Sequence, residues 1–322
     1  MKKITIIAEI GINHGGSVSL AKKMVKEAKK CGADVAKFQN SYPDQLFKIK
    51  TKAFQVSQQF VMQTSDYAAI KKYCDQLKIE FLCTPFDLKS VDQLEELNVK
   101  RYKVASPDLV DMPLHKKIIS TRKPVILSTG MANIKEIKKT VDYYKKNRMK
   151  KITLLHCVSN YPCSIKSLNL KSMVKLKKIF NLPVGFSDHS VGSDAAIISV
   201  GLGATIIEKH FTIDKKLPGA DHFMSMNPKE FSAFVQSIRE AEIRLGLDKK
   251  RCQPEEKKFI GLARKSITLK KSLKRGEILK KKDIIMKRPG LGLNGQKINM
   301  VIGKKLKKNL SKEYQIKKQD LI

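Results

Sequence analysis

His189 and His210 close two β-type runs, PVGFSDH (183–189) and ATIIEKH (204–210), with one helix's worth of small and aliphatic residues between them. If those runs are neighbouring strands, two imidazoles meet at one edge. They can then share a single cation and leave positions open for water and a substrate. Alternatively, each ring can make its own local hydrogen bonds. For two imidazoles with oxygen ligands, Mn²⁺ or Mg²⁺ is a better match than a structural Zn²⁺. Lys37 and Lys103 carry a second chemistry. Each lies inside an apolar run, VAKFQ and YKVAS, where an unpaired ammonium would be costly. Thr84, Ser106, Ser128 and Ser187 end further runs and add hydroxyls. Lysines as point charges with hydroxyls for orientation suit a phosphate plus a carboxylate.

These residues converge only if the elements carrying them do. Eight short β-rich runs recur at 4–12, 33–39, 79–86, 101–106, 124–130, 152–159, 183–189 and 204–210. Amphipathic lysine-rich segments separate them, such as SLAKKMVKEAKKCG and IKEIKKTVDYYKKN, with apolar residues at helical spacing. Alternating strand and helix demands a parallel sheet with right-handed crossovers. Eight such units predict an α/β fold, a closed (β/α)₈ barrel over residues 1–245, whose working face is the C-terminal end of the strands. Nearly every run turns polar there: Glu9, Asn13 and His14; Lys37 and Gln39; Thr84; Lys103 and Ser106; Ser128 and Thr129; Ser159; Ser187 to His189; Glu208 and His210. A polar stretch at 246–262 reads as a linker or short helix. Residues 263–322 read as a small, mostly β domain, marginal alone at that size.

Composition narrows the classes of function. The chain has 322 residues and a formal charge of +35, carried by lysines spread along every helix-like stretch. That distribution, without basic runs interleaved with aromatics, argues for solvated helix faces and against nucleic acid as a partner. No apolar run is long enough to cross a bilayer, and none has signal-peptide flanks, so the expectation is a cytoplasmic protein with no membrane partner. The six cysteines show no Cys-x-x-Cys spacing and read as reduced packing residues.

AEIGINHGG, AKFQ, TPF, YKVAS, LSTGM, LHCVSNYP, SDHSVG, EKHFT, LPGADHFMSMNP and KRPGLG resemble, in order and over essentially the whole chain, the sialic acid synthase family. Its members are phosphoenolpyruvate-dependent nonulosonate synthases with a (β/α)₈ barrel and a C-terminal SAF (antifreeze-like) domain. The resemblance implies that C3 of phosphoenolpyruvate attacks the aldehyde of an open-chain N-acetyl amino sugar. Water then adds at C2, and phosphate leaves by C–O cleavage. It implies a metal on His189 and His210, and an acid/base role for Glu9. Lys37, Thr84, Lys103, Ser106, Ser128 and Ser187 match positions that bind phosphoenolpyruvate, while Gln39, Tyr161 and Asp221 match positions that hold the sugar. Arg288, in KRPGLG, matches an arginine that reaches the partner subunit's site, which implies a domain-swapped homodimer.

Two departures bear on the sugar. Asp108 stands where the sialic acid branch often has glutamate, and Ser159 where some members have asparagine; both touch expected substrate contacts. The Pro-Gly element in LPGADHFMSM resembles the acetylneuraminate and legionaminate branches more than the pseudaminate branch. The expectation is therefore an N-acetylneuraminate synthase using an N-acetylmannosamine-type acceptor. A legionaminate synthase acting on a 2,4-diacetamido hexose is the alternative within the class. A barrel that binds a sugar or anion without catalysis is the alternative outside it.

Overall fold

Each of the eight expected runs folds as a strand: β1 Thr5–Gly11, β2 Val35–Asn40, β3 Glu80–Pro85, β4 Tyr102–Val104, β5 Val125–Ser128, β6 Ile152–Cys157, β7 Val184–Asp188 and β8 Ile206–His210. The computed structural model describes residues 3–322. All the hydrogen-bonded pairs among these strands are parallel, in the order β3-β2-β1-β8-β7-β6-β5-β4. β3 and β4 lie side by side without a continuous ladder. This is a (β/α)₈ barrel with its one unladdered seam at the short strand β4.

The helices between strands form for local reasons. At Ile134–Lys146, Asn133 caps the N-terminus in a capping box with Glu136, which satisfies otherwise orphaned backbone donors. Ile137, Val141 and Tyr144 recur on one face and are buried, and Lys145 and Lys146 sit in the last turn, where the helix dipole favours positive charge. Pro228–Leu245 repeats the scheme, with Asn227 and Glu230 as its capping box and Pro228 in its first turn.

Strand periodicity does the positioning. Ile7, Val35, Leu82, Ile126, Leu155 and Ile206 form a closed apolar cluster inside the barrel. Two residues further along the same strands stand Glu9, Lys37, Thr84, Ser128, Cys157 and Glu208. Side chains repeat every second residue on one face of a strand, so the apolar plug lies directly below a polar layer. Gly185 leaves room on β7, since a methyl there would fall 2.4 Å from the Ile206 carbonyl oxygen and 2.7 Å from Leu155 Cδ2.

The chain divides into two compact units at Leu247/Asp248. The second unit, Asp248–Ile322, has as its first helix Pro254–Ala263, which starts in the stretch expected as linker, 246–262, and ends one residue past it. It then pairs β9 Ser266–Leu269 antiparallel with β10 Ile284–Lys287. Its own core gathers Ile267, Leu269, Leu279, Val301, Leu306 and Ile316. No helix among the described residues is long and apolar enough to cross a membrane. All six cysteines are free thiols.

Candidate active site

A cavity of about 290 Å³ opens at the C-terminal end of the strands, lined by Glu9, Lys37, Gln39, Thr84, Lys103, Ser106, Ser128, Tyr161, Ser187, His189, Glu208, His210 and Asp221, among others. Twelve of the fifteen site residues expected from the sequence come together here. Asp108 lies beside it, in the short turn after β4, with one buried carboxylate oxygen lacking a partner. Ser159 Oγ lies 3.9 Å from Cys157 Sγ and lines the neighbouring cleft. Arg288 belongs to the second unit, exposed on the turn after β10.

Two carboxylates hold the floor. Lys37 Nζ lies 2.8 Å from Glu9 Oε2 and 3.5 Å from Glu208 Oε2. Lys103 Nζ donates to Glu208 Oε1 at 3.0 Å, and Ser187 Oγ donates to the same oxygen at 2.9 Å. Burial alone would lower Lys37, but the charges of Glu208 and Glu9 raise it well above the ordinary lysine value. Burial lowers Lys103 despite the attraction of Glu208. Burial would raise Glu208, yet the two lysines hold it far below the usual carboxylate range. The floor thus sets two ammonium groups against two carboxylates.

Around the floor, Lys37 Nζ donates to Thr84 Oγ1 at 3.3 Å, and the Gly130 backbone N–H donates to Ser106 Oγ at 3.1 Å. Gly130 is required by close approach. A Cβ there would lie 2.4 Å from Ser159 Oγ, 2.7 Å from Ser106 Oγ and 2.9 Å from Cys157 Sγ. Burial would raise the Cys157 thiol, but His189 beside it brings it below its ordinary value, and the same contact raises His189. At β1 a register shift falls between Glu9 and Gly11, and Gly11 takes a positive φ of 57°. Such a bulge re-aims the strand end, and here Glu9 Oε1 accepts from Gln39 Nε2 at 2.8 Å.

The imidazoles of His189 and His210 face each other with ring centroids 5.5 Å apart, and the Tyr161 ring lies 4.2 Å from that of His189. His189 Nδ1 donates to the Val158 carbonyl at 2.8 Å, so Nε2 is the ring nitrogen left for other partners. His210 Nδ1 is buried without a partner, 3.8 Å from Asp221 Oδ2. Burial and the neighbouring His189 keep His210 well below the ordinary histidine value. Burial and the charge of Glu9 push Asp221 up to about 6. Among the described residues no three His, Cys, Asp or Glu side chains form a ready-made cage for an ion. The two facing imidazoles, with His210 Nδ1 unpartnered, are the nitrogen donors that the rim could offer to an ion whose other positions were filled by water and substrate.

Glu208 is the main residue whose role the sequence left unassigned. It stands among the polar strand ends, and its inward direction follows from spacing, two residues after Ile206 and two before His210. Gly130, in STG, is a second. Asn13 and His14 lie outside the cavity lining: Asn13 Nδ2 donates to the Phe211 carbonyl and to Ser225 Oγ, and His14 Nδ1 accepts from the Gly16 backbone N–H.

The NeuB family profile matches residues 24–250, and the SAF domain profile matches 264–322. The chain is 41% identical to the N,N'-diacetyllegionaminic acid synthase of Legionella pneumophila, over 95% of this chain and 91% of that one. It is 38% identical to the enzyme of the same name from Campylobacter jejuni, covering 97% and 98%. Among solved structures, the N-acetylneuraminic acid synthetase of Leptospira borgpetersenii superposes with a TM-score of 0.77 at 34% identity, over 80% of this chain and 90% of that one. With this barrel, this rim and these relatives, the chain belongs to the NeuB family, the sialic acid synthase-like family, and carries its SAF domain.

Proposed function

We propose that the chain condenses phosphoenolpyruvate with an open-chain N-acetyl amino sugar and water, releasing phosphate and forming a nonulosonate. The observation that carries this reading is the floor of the cavity, where two buried ammonium groups share two carboxylates beneath a pair of imidazoles. Lys37 and Lys103 act as point charges for the phosphate and carboxylate, while Thr84, Ser106, Ser128 and Ser187 orient them. Glu208 balances both lysines before the anion arrives. Glu9, bonded to Gln39 and Lys37, is placed to move a proton at the acceptor's aldehyde oxygen as the C–C bond forms. When bound to His189 and His210, a divalent ion, Mn²⁺ or Mg²⁺, supplies Lewis-acid polarisation of that oxygen. The family resemblance extends the reading to a homodimer in which Arg288 of one protomer reaches the acceptor in its partner's barrel.

For the acceptor, a 2,4-diacetamido hexose leading to a legionaminate-type product is the favoured class. Ile12, Phe86, Ala105 and Pro107 give the cavity apolar walls, which suit acetamido methyl groups, and two whole-chain relatives bear that product's name. An N-acetylmannosamine-type acceptor, the first expectation from the sequence, is the second reading and rests on the likeness to the Leptospira synthetase. The test is phosphate release from phosphoenolpyruvate by purified protein with each sugar in turn, with and without a chelator. Metal-dependent release with one sugar class is the expected result. Binding of phosphoenolpyruvate without release in the presence of any amino sugar overturns the reading in favour of a non-catalytic barrel.

A further inference from the structure

The strand periodicity that turns His189 and His210 into the barrel turns their predecessors, Asp188 and Lys209, outward. The two are register partners across β7 and β8, and their side chains are 0% and 3% exposed. Lys209 Nζ donates to Asp188 Oδ2 at 2.9 Å, to the Ser190 carbonyl, and to the Gly192 carbonyl at 3.3 Å. Asp188 Oδ1 accepts from the backbone N–H of Ser190 at 2.8 Å and from its hydroxyl at 2.6 Å. All three ammonium protons and both carboxylate oxygens are thereby satisfied. The segment that follows His189 is laced onto the strand that ends in His210.

Neither residue lines the catalytic cavity, and no step of the proposed reaction uses either. Stability is a weak reason for keeping them, because replacing a buried ion pair with apolar residues is often neutral or favourable. What the pair does control is geometry. It fixes the ends of β7 and β8 one residue behind each imidazole. The His189 carbonyl, accepting from the Cys163 N–H at 2.8 Å, ties the same segment down from the other side.

We propose that Asp188 and Lys209 form a positioning clamp, which holds the imidazoles of His189 and His210 at the separation where one cation is shared. The inference rests on the reading of those imidazoles as a metal pair. Neither side chain bonds to an imidazole; the clamp acts through the backbone of the two strand ends, and the orientation of the groups that touch an ion sets its affinity.

The experiment is Mn²⁺ binding to the full-length protein, followed by loss of the free-ion electron paramagnetic resonance signal. The principal variant is Asp188→Asn/Lys209→Met, which removes both charges and leaves none buried alone. Lys209→Met by itself is the second variant. Val200→Ala, in the helix after β7 and bordering a cleft beside Ile4, is a destabilised control remote from the clamp. The expected result is Mn²⁺ affinity weakened about tenfold or more in both clamp variants, with wild-type affinity in Val200→Ala despite a lower Tm. Wild-type affinity in the folded double variant overturns the clamp alone. So does an equal loss in Val200→Ala. A wild-type protein that binds no Mn²⁺ overturns the shared-ion reading and the clamp with it.

Discussion

Burial sets the chemistry of individual carboxyls in this site, and Asp108 shows it most directly. One of its oxygens is buried without a partner, and burial, with the charge of Asp111 beside it, pushes the carboxyl from 3.8 up to about 7. In the unfolded chain the proton leaves near the ordinary value; in the folded chain it stays on until about 7. Between those values the folded state binds more protons, so stability falls as pH rises through this window and stays lower above it. Asp108→Asn removes the penalty. Chemical denaturation should find the variant more stable than wild type at pH 8, by on the order of 1–2 kcal/mol after allowance for solvent screening, and equal to it at pH 4. Equal stability at both pH values would contradict the buried-carboxyl account. Asp108 was expected near the sugar only from the resemblance, and the structure sets it beside the cavity, outside its lining. Its missing partner was not legible, because hydrogen bonding belongs to the three-dimensional arrangement.

At the scale of the elements, the polar layer exists because each strand places an apolar residue and then, two positions on, a polar one. That alternation made the eight strands legible, and the observed strands differ from the expected runs by trimmed ends, except that β2 runs one residue further, to Asn40. Consecutive charges were harder. In EKH the directions of Glu208 and Lys209 are opposite, inward to the lysines and outward to the clamp, and the two-residue spacing of Glu208 from Ile206 and His210 is what sorts them. The break between β3 and β4 was not legible, since RYKVAS shows nothing to shorten β4 to three residues. The helix at Pro254–Ala263 was left open as linker or helix because its sequence is polar and none of its residues is buried. Gly130 gives the element-scale prediction. A methyl there meets three polar side-chain atoms at 2.4–2.9 Å, and overpacking of this kind costs about 1–3 kcal/mol. Gly130→Ala should fold, as judged by circular dichroism, and raise KM for phosphoenolpyruvate about tenfold, since about 1.4 kcal/mol corresponds to that factor. An unchanged KM would place the substrate anion elsewhere.

For the whole molecule, the formal charge of +35 has a kinetic consequence even though the reading assigns no nucleic acid partner. A strongly positive protein attracts an anionic substrate from beyond contact distance, and salt screens that attraction. Raising ionic strength from about 0.01 M to 0.1 M shortens the screening length from roughly 30 Å to 10 Å. kcat/KM for phosphoenolpyruvate should therefore fall several-fold across that range, while kcat at saturating substrate changes little. A flat profile would mean that the lysine-rich helix faces do not steer the substrate. The two-part organisation was legible as a change of pattern near residue 245, and the family profiles follow it, one ending at 250 and the other beginning at 264. The proposed homodimer rests on resemblance through Arg288 alone.

The central claim is that the anion gripped by Lys37 and Lys103 is phosphoenolpyruvate, and that it loses phosphate by C–O cleavage after joining the sugar. Phosphoenolpyruvate carrying ¹⁸O in the bridge between carbon and phosphorus tests this directly when turned over with the accepted sugar. The account predicts that the heavy oxygen leaves with inorganic phosphate, and that the product's C2 oxygen comes from water. Heavy oxygen retained at C2 of the sugar acid, with unlabelled phosphate, would contradict it.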